Sequence, residues 1–441
     1  MTTERELHAD VIIIGGGPAG STLGALLGMD GHKALILESD IHPRDHVGES
    51  LVPGNNFVLH RLGLLEKMEQ TGFIHKEGVG WTAPESRLWN LVAIKTSDFP
   101  APNAVQKYSY NVDRQWFDAM LLRHAHELGA KVLEGAQVKR VLFEGDRAIG
   151  VRVSVAGHTK DLYAKFVVDA SGRRCLLGTQ LGLKRKDVEF KQFCIWSWFK
   201  GVEDPPPGHE GMVIFHFLGL ERAWAWQIPI RPGATSVGIV TDKADFNKSG
   251  RSHEEFFDSL VARNKTFKHA MADAERTRDW EIEGDYSYRM DQIVGPGWLM
   301  IGDAFRFVDP IFSSGVDVAL NSAQFAHEAI TAVWAGADEM TTLSAYDTKV
   351  NNGVDVWYET TRLFYKLQSL FGRFALDRRY REAIARSLQG NPYNPVNQER
   401  SKWILGVMEE AYEEVINDPN NLLRPGTWKQ LREAAVKELA S

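Results

Sequence analysis

Near its start the chain runs from ADVIII (Ala9 to Ile14) straight into GGGPAG, and from there into a helical stretch over Ser21 to Met29. A continuous apolar run of that length reads as a buried parallel strand, and the order strand, tight glycine loop, helix is the first unit of a doubly wound α/β sheet. Gly15, Gly17 and Gly20 stand in GxGxxG spacing, with Ala19 inside the same loop. Missing side chains let the backbone approach a pyrophosphate, and the helix N-terminus favours its negative charge. HKALILE then forms a second strand ending at Glu38. A carboxylate at that point can accept hydrogen bonds from the hydroxyls of an adenosine ribose. The fingerprint does not choose between FAD and NAD.

A second helix is expected over Arg114 to Leu128, ahead of the strand-like KVLEG, with a small antiparallel sheet around Val138 to Val153. FVVDASG, Phe166 to Gly172, reads as a strand returning to the nucleotide fold. From about Cys194 to Thr241 apolar and polar positions alternate between turn signals, as in an antiparallel sheet laid beside the first layer. The segment from Trp298 to Ile330 reads strand, loop, helix, and beyond about Leu343 the pattern becomes helical. The expected fold is therefore α/β and interleaved. A Rossmann-like dinucleotide-binding domain would be assembled from 1–75, 105–175 and 285–342, an antiparallel-sheet substrate domain from 76–104 and 176–284, and a C-terminal helical region from 343–441.

Composition narrows the function classes. The 441 residues carry a formal net charge of -7, leaving no cationic excess to neutralise nucleic-acid phosphates. The two cysteines, Cys175 and Cys194, are too few for a disulfide framework and lack metal-ligand spacing, so no metal is expected. No stretch approaches the ~20 apolar residues of a membrane span, and the short apolar run before the glycine loop is no secretory signal, so a cytoplasmic enzyme is expected. Thirteen Trp and 22 Phe are a rich aromatic supply, suited to a pocket for a flat ring or simply to a large core.

The choice of cofactor comes from the second half of the chain. IGDAFRFVDP, with Gly302, Asp303 and Pro310, resembles the GD-type motif of the para-hydroxybenzoate hydroxylase class of flavoproteins. VDRQWFD, with Asp113 and Arg114, and VVDASGRR resemble two further signatures of that class. The resemblance implies FAD, with Asp303 near its ribityl chain and Arg114 near the cofactor; from the residues alone Arg114 reads equally as a helix-start or surface cation.

Within that class, WAWQIP (Trp224 to Pro229) resembles the WxWxIP motif of flavin-dependent halogenases. On a strand Trp224, Trp226 and Ile228 share one face. The resemblance implies a wall that keeps organic substrate from the oxidising flavin while halide reaches it; an aromatic core strand would show the same spacing. Lys76, in TGFIHKEGVGW downstream of HVGESLVP, matches the active-site lysine region of halogenases acting on carrier-bound pyrroles. A buried amine could hold hypohalous acid by hydrogen bonding or as a haloamine. DPIFSSGVDVALNSA places Ser313, Ser314 and Gly315 at a helix start. The resemblance puts chloride or bromide there, on the amides of Ser314 and Gly315, while a plain serine helix cap is the simpler reading. Where tryptophan halogenases carry a Glu, this chain has Phe312, which argues against free tryptophan.

The family resembled most nearly is the pyrrolyl-carrier-protein halogenases. It implies a carrier-protein-tethered substrate and reduced FAD from a separate flavin reductase, and Arg373, Arg378, Arg379, Arg381 and Arg386 could form a landing face or merely a solvated one. Glu49 is a candidate general base. A halogenase of a phenol or tyrosyl substrate, an FAD-dependent aromatic hydroxylase and a non-catalytic flavin-binding protein all remain open, as does a homodimeric assembly.

Overall fold

A computed structural model describes residues 6–84, 86–100, 104–220, 222–284, 286–419, 421 and 424. The strand Ala9–Ile14 is central to the first sheet, with Val11, Ile12 and Ile13 wholly buried. It pairs in parallel with Ala34–Leu37 on one side and with the end of His158–Asp169 on the other. Lys131–Leu133 and Trp298–Met300 extend the parallel set outward. The helices Pro18–Met29, Arg114–Glu127 and Ser314–Trp334 belong to this layer, Pro18–Met29 packing against both of the others. His158–Asp169 serves two partners: its first half pairs antiparallel with Arg147–Val155, and its second half joins the parallel sheet.

The second large sheet contains Gln192–Lys200, Ala234–Asp242, Trp224–Arg231 and Val213–Phe217 in that order. These pairings are antiparallel, as the alternation in the sequence implies. The sheet also takes in a pair that alternation could not reveal, because Val213–Phe217 runs parallel to Gly78–Thr82. Two parallel neighbours cannot be joined by a tight hairpin, and here some 130 residues of chain separate them. A two-stranded ribbon, Ile74–Lys76 with Ser109–Asn111, lies beside these elements. The helical part opens at Glu339 with Glu339–Lys366, followed by Gln368–Leu376, Arg381–Leu388 and Pro395–Asn417. Residues 420, 422, 423 and 425–441 of the expected helical region lie outside the described residues. No described helix is long and apolar enough to cross a membrane.

One close approach sets how the second sheet packs. Gly238 pairs with Trp226 on one neighbour and Trp196 on the other. A Cβ at Gly238 would lie 2.2 Å from Trp226 Cζ2 and 2.5 Å from Trp196 Cβ. Glycine here is the room in which the indole lies flat on the sheet. Gly238→Ala is expected to destabilise the protein by about 1–3 kcal/mol through overpacking. Gly406→Ala, on the Pro395–Asn417 helix with open space at its Cβ, should instead gain up to about 1 kcal/mol from helix propensity. Thermal unfolding of the two variants beside the parent checks both signs.

Candidate active site

A cavity of about 570 Å³ opens where the first sheet meets the second. At one end it is lined by Gly15, Gly17, Ala19, Glu38 and Arg44. The glycine loop earns its shape by sterics: a Cβ on Gly20 would fall 2.0 Å from the Gly15 carbonyl oxygen, so Gly20 lets the helix start against the strand rather than facing the cavity. Gly17 is the open position, since a Cβ there would meet only Arg44 Nη2, at 3.6 Å. Glu38 accepts from the Gly16 amide at 2.6 Å, the Asp40 amide at 2.8 Å and Ser39 Oγ at 3.1 Å. A carboxylate has about four acceptor sites, so one remains for a ribose hydroxyl.

In the middle of the cavity stand Asp303, Arg114 and Arg173. Burial lifts the Asp303 carboxyl to about 6, against the pull of Arg173 and Arg114. No protein donor reaches that carboxylate among the described residues, which leaves it for a ligand. Arg114 is not the surface cation that its sequence position also allowed; it is 4% exposed. Its guanidinium grips Asp118 at 2.7 and 2.9 Å and donates to the carbonyls of Val47 and Gly48 at 2.6 and 3.2 Å. Most of its donors are spent on holding the 47–48 segment, so it shapes this wall more than it offers itself. Gly302 does not line the cavity; at φ +58° it bends the chain, and its amide donates to Ser322 Oγ at 2.9 Å.

The far end is aromatic. Trp224, Trp226 and Ile228 all line the cavity, as one face of their strand, and Trp196 joins them from the next strand but one. Trp226 Nε1 donates to Ser236 Oγ at 3.1 Å, while the buried Trp196 Nε1 has no partner among the described residues. Trp224 is tied more widely. Its Nε1 donates to Tyr365 Oη at 2.9 Å, Tyr365 donates to Asp309 Oδ2 at 3.1 Å, and Asp309 Oδ1 accepts from the Ile311 amide at 2.9 Å. One chain of bonds thus joins the tryptophan strand, the Glu339–Lys366 helix and the 309–315 loop. Burial holds the Asp309 carboxyl up near 7.

The 309–315 loop corrects the simpler reading of its serines. Ser313 sits left-handed at φ 56°, ψ 30° and makes no side-chain cap bond to the Ser314–Trp334 helix. Its hydroxyl turns instead to Ser50 Oγ, 3.1 Å away. Pro310, Ser313 and Gly315 line the cavity, and Ser314 is buried just behind them. The first amides of a helix lack intrahelical partners, so this end can receive an anion.

Lys76 is 5% exposed, unusual for a lysine. It does not line the cavity, yet its Nζ donates to Ser50 Oγ at 2.8 Å and to the Leu51 carbonyl at 2.9 Å, and Ser50 does line it. Burial alone lowers the amine to about 7. Glu49, the neighbour of Ser50, is also on the cavity wall and accepts from Trp198 Nε1 at 2.5 Å. Burial raises its carboxyl to about 7 although the Ser236 hydroxyl, Trp198 and Arg278 pull it down. A carboxyl near neutrality can either give or take a proton.

Sequence reasoning passed over Ser50, Trp196, Arg44 and Arg173 as individuals. Ser50 was visible only as part of VGESLVP, and Trp196 follows the same spacing-two logic as WAWQIP. The Trp196 signal was hidden in QFCIWSWFK, a strand buried on both faces. Of the C-terminal arginines, Arg381 and Arg386 are committed inward, to the carbonyls of Ala93, Ala375 and Pro100 and to Asp98 and Glu382. Arg379 pairs with Asp377. Arg373 and Arg378 are exposed.

Comparison with known proteins places this geometry. The family model described as an FAD binding domain matches residues 8–355. The 1H-pyrrole-2-carbonyl-[peptidyl-carrier protein] chlorinase of Pseudomonas fluorescens is 39% identical over 94% of this chain and 95% of its own. The corresponding brominase of Pseudoalteromonas luteoviolacea is 32% identical over 86% of this chain and 91% of its own. The structure of the flavin-dependent brominase Bmp2 superposes with a TM-score of 0.83 at 30% identity, covering 92% of this chain and 99% of that one. With a glycine loop, a buried carboxyl free of protein donors and an aromatic wall on one cavity, and relatives matched over nearly its whole length, this chain belongs to the flavin-dependent halogenases, enzymes with FAD as cofactor and halide as co-substrate.

Proposed function

We propose that the enzyme halogenates a pyrrole-2-carbonyl group tethered as a thioester to a carrier protein, with hypohalous acid delivered to the ring by Lys76. The substrate class rests on the two relatives whose names carry it. The delivery step rests on one observation: a buried lysine amine linked through Ser50 to the cavity that Trp224 and Trp226 line.

When bound, reduced FAD together with oxygen supplies the oxidant for halide. We assign its cradle to Gly15, Gly17, Ala19 and Glu38 at the pyrophosphate and ribose end and to Asp303 and Pro310 further along, with Gly20, Gly302 and Arg114 shaping the chain that carries them. The amides of Ser314 and Gly315 would hold chloride or bromide. Trp224 and Trp226 are too large and too firmly bonded to swing aside for a flat ring, so they would bar the organic substrate and pass only a small acid. Lys76, lowered by burial to about 7, has an uncharged fraction near neutral pH that offers a lone pair to that acid and aims it at the most electron-rich ring carbon. Glu49 is positioned on the cavity wall to exchange a proton. In this division of labour 1–75, 105–175 and 285–342 serve the cofactor, 76–104 and 176–284 the substrate, and the described helices of 343–441 pack against elements of both. Reduced flavin would come from a separate reductase, and we place the enzyme in the cytoplasm.

The test combines enzyme, reductase, FAD, NADH, oxygen and chloride or bromide with a pyrrolyl thioester on its carrier, the free acid, and a phenol thioester. Mass shifts should show halogen on the tethered pyrrole. A shift by oxygen alone, or equal turnover of the free acid, would overturn the assignment. Lys76→Ala should lower halogenated product per flavin oxidised by at least ~100-fold, the scale of losing a positioned catalytic group.

Stability offers an independent check on the amine. Because its folded value, about 7, lies below the 10.5 of an ordinary lysine, the unfolded chain binds the extra proton between those limits and stability rises with pH across that window. At and below pH 7 the fold carries the full burial cost. Lys76→Met should therefore be more stable than the parent at pH 7, by on the order of a few kcal/mol, with the gap narrowing toward pH 10 in denaturant titrations.

A further inference from the structure

The hydroxyl of Ser50 is the only described side chain that touches both Lys76 Nζ, at 2.8 Å, and the 309–315 loop, through Ser313 Oγ at 3.1 Å, while itself facing the cavity. A serine hydroxyl has two acceptor lone pairs and one hydrogen. Lys76 and Ser313 donate into the two lone pairs, so the hydrogen is left over, and no described protein acceptor takes it. The serine is not needed to place its own backbone. The Leu51 amide donates to the Tyr110 carbonyl at 2.9 Å, and the Val112 amide to the Glu49 carbonyl at 2.7 Å, on either side of a bridge between Ser50 and Asn111. Asn111 lies on the strand that pairs with Ile74–Lys76. Backbone pairing therefore lays the segment around residue 50 beside the Ile74–Lys76 ribbon whatever the side chain at 50. The hydroxyl is not needed for that backbone pairing, and it stands between the cavity and the amine.

We propose that Ser50 is a positioning residue. It fixes Lys76 Nζ against the cavity wall and offers its remaining hydroxyl hydrogen to the oxygen of a small oxyacid passing from the cavity to the amine. This rests on the assignment of Lys76 as the delivering group. No charged side chain among the described residues acts on that amine; its environment is burial and these two acceptors. Removing one acceptor should therefore register directly.

Ser50→Ala, Ser50→Thr and Lys76→Ala are compared with the parent, as full-length proteins, by two readouts. The first is halogenated product per reduced flavin oxidised, with a freely diffusing scavenger counting escaped hypohalous acid. The second, in flavin-free protein, is the pH midpoint of the Lys76 ε-carbon followed by NMR. Ser50→Ala should lower the product ratio about tenfold, raise scavenger halogenation, and lower the Lys76 midpoint by about one unit, the worth of a hydrogen bond to a charged group. Ser50→Thr, which keeps the hydroxyl, should restore most of both. A Ser50→Ala enzyme with the parent's product ratio and midpoint overturns the proposal, as does a Ser50→Thr enzyme no better than Ser50→Ala. Should Lys76→Ala halogenate as the parent does, the lysine assignment falls and this proposal with it; loss in Lys76→Ala without loss in Ser50→Ala overturns the Ser50 role alone.

Discussion

The amine of Lys76, buried with two oxygen acceptors and no counter-charge among the described residues, is the contact on which the proposed mechanism depends. Burying an ammonium is costly unless it is paired, and here the compensation is two neutral acceptors, Ser50 Oγ and the Leu51 carbonyl. Its charge is therefore weakly held. That makes a poor structural device and a good nucleophile or hydrogen-bond partner near neutral pH. The same stretch of chain faces the cavity through Glu49 and Ser50, and on the proposed mechanism it would carry the boundary between oxidant and amine.

Rigidity on the cavity side comes from bonds that cross between parts of the fold. Trp224 is anchored to Tyr365 on a C-terminal helix, and Tyr365 to Asp309 at the loop before the Ser314–Trp334 helix. Trp226 lies flat because Gly238 is bare. An aromatic wall held at its polar edge and packed on its face has little freedom to rotate. The left-handed Ser313 is strained for a residue with a side chain, and such strain is kept where surrounding contacts over-determine it. Here the contact is with Ser50, which links the loop to the amine.

The sequence was informative wherever chemistry is local. The strand, loop and helix from Ala9 to Met29 are legible because glycine spacing and apolar runs are read within one turn of chain, and the helix expected over Arg114 to Leu128 is found as Arg114–Glu127. Trp224, Trp226 and Ile228 share a face because strands alternate. What could not be read were pairings set by distant segments. The parallel contact between Val213–Phe217 and Gly78–Thr82, the inward turn of Arg114, and the meeting of Ser50, Lys76 and Ser313 each join residues tens to hundreds of positions apart. No local pattern encodes them. Likewise the arginines of 373–386 look like one cationic face in sequence, yet their neighbours decide which are bound inward.

The whole account turns on which side of the tryptophans an organic ring binds. A crystal structure of the enzyme with FAD, bromide and a non-hydrolysable pyrrolyl thioester mimic measures this directly. The account predicts a bromide anomalous peak at the amides of Ser314 and Gly315, and the pyrrole ring within reach of Lys76 Nζ with Trp224 and Trp226 standing between it and the flavin. A pyrrole ring stacked against the flavin inside the cavity, on the same side of the tryptophans as the bromide, would contradict it.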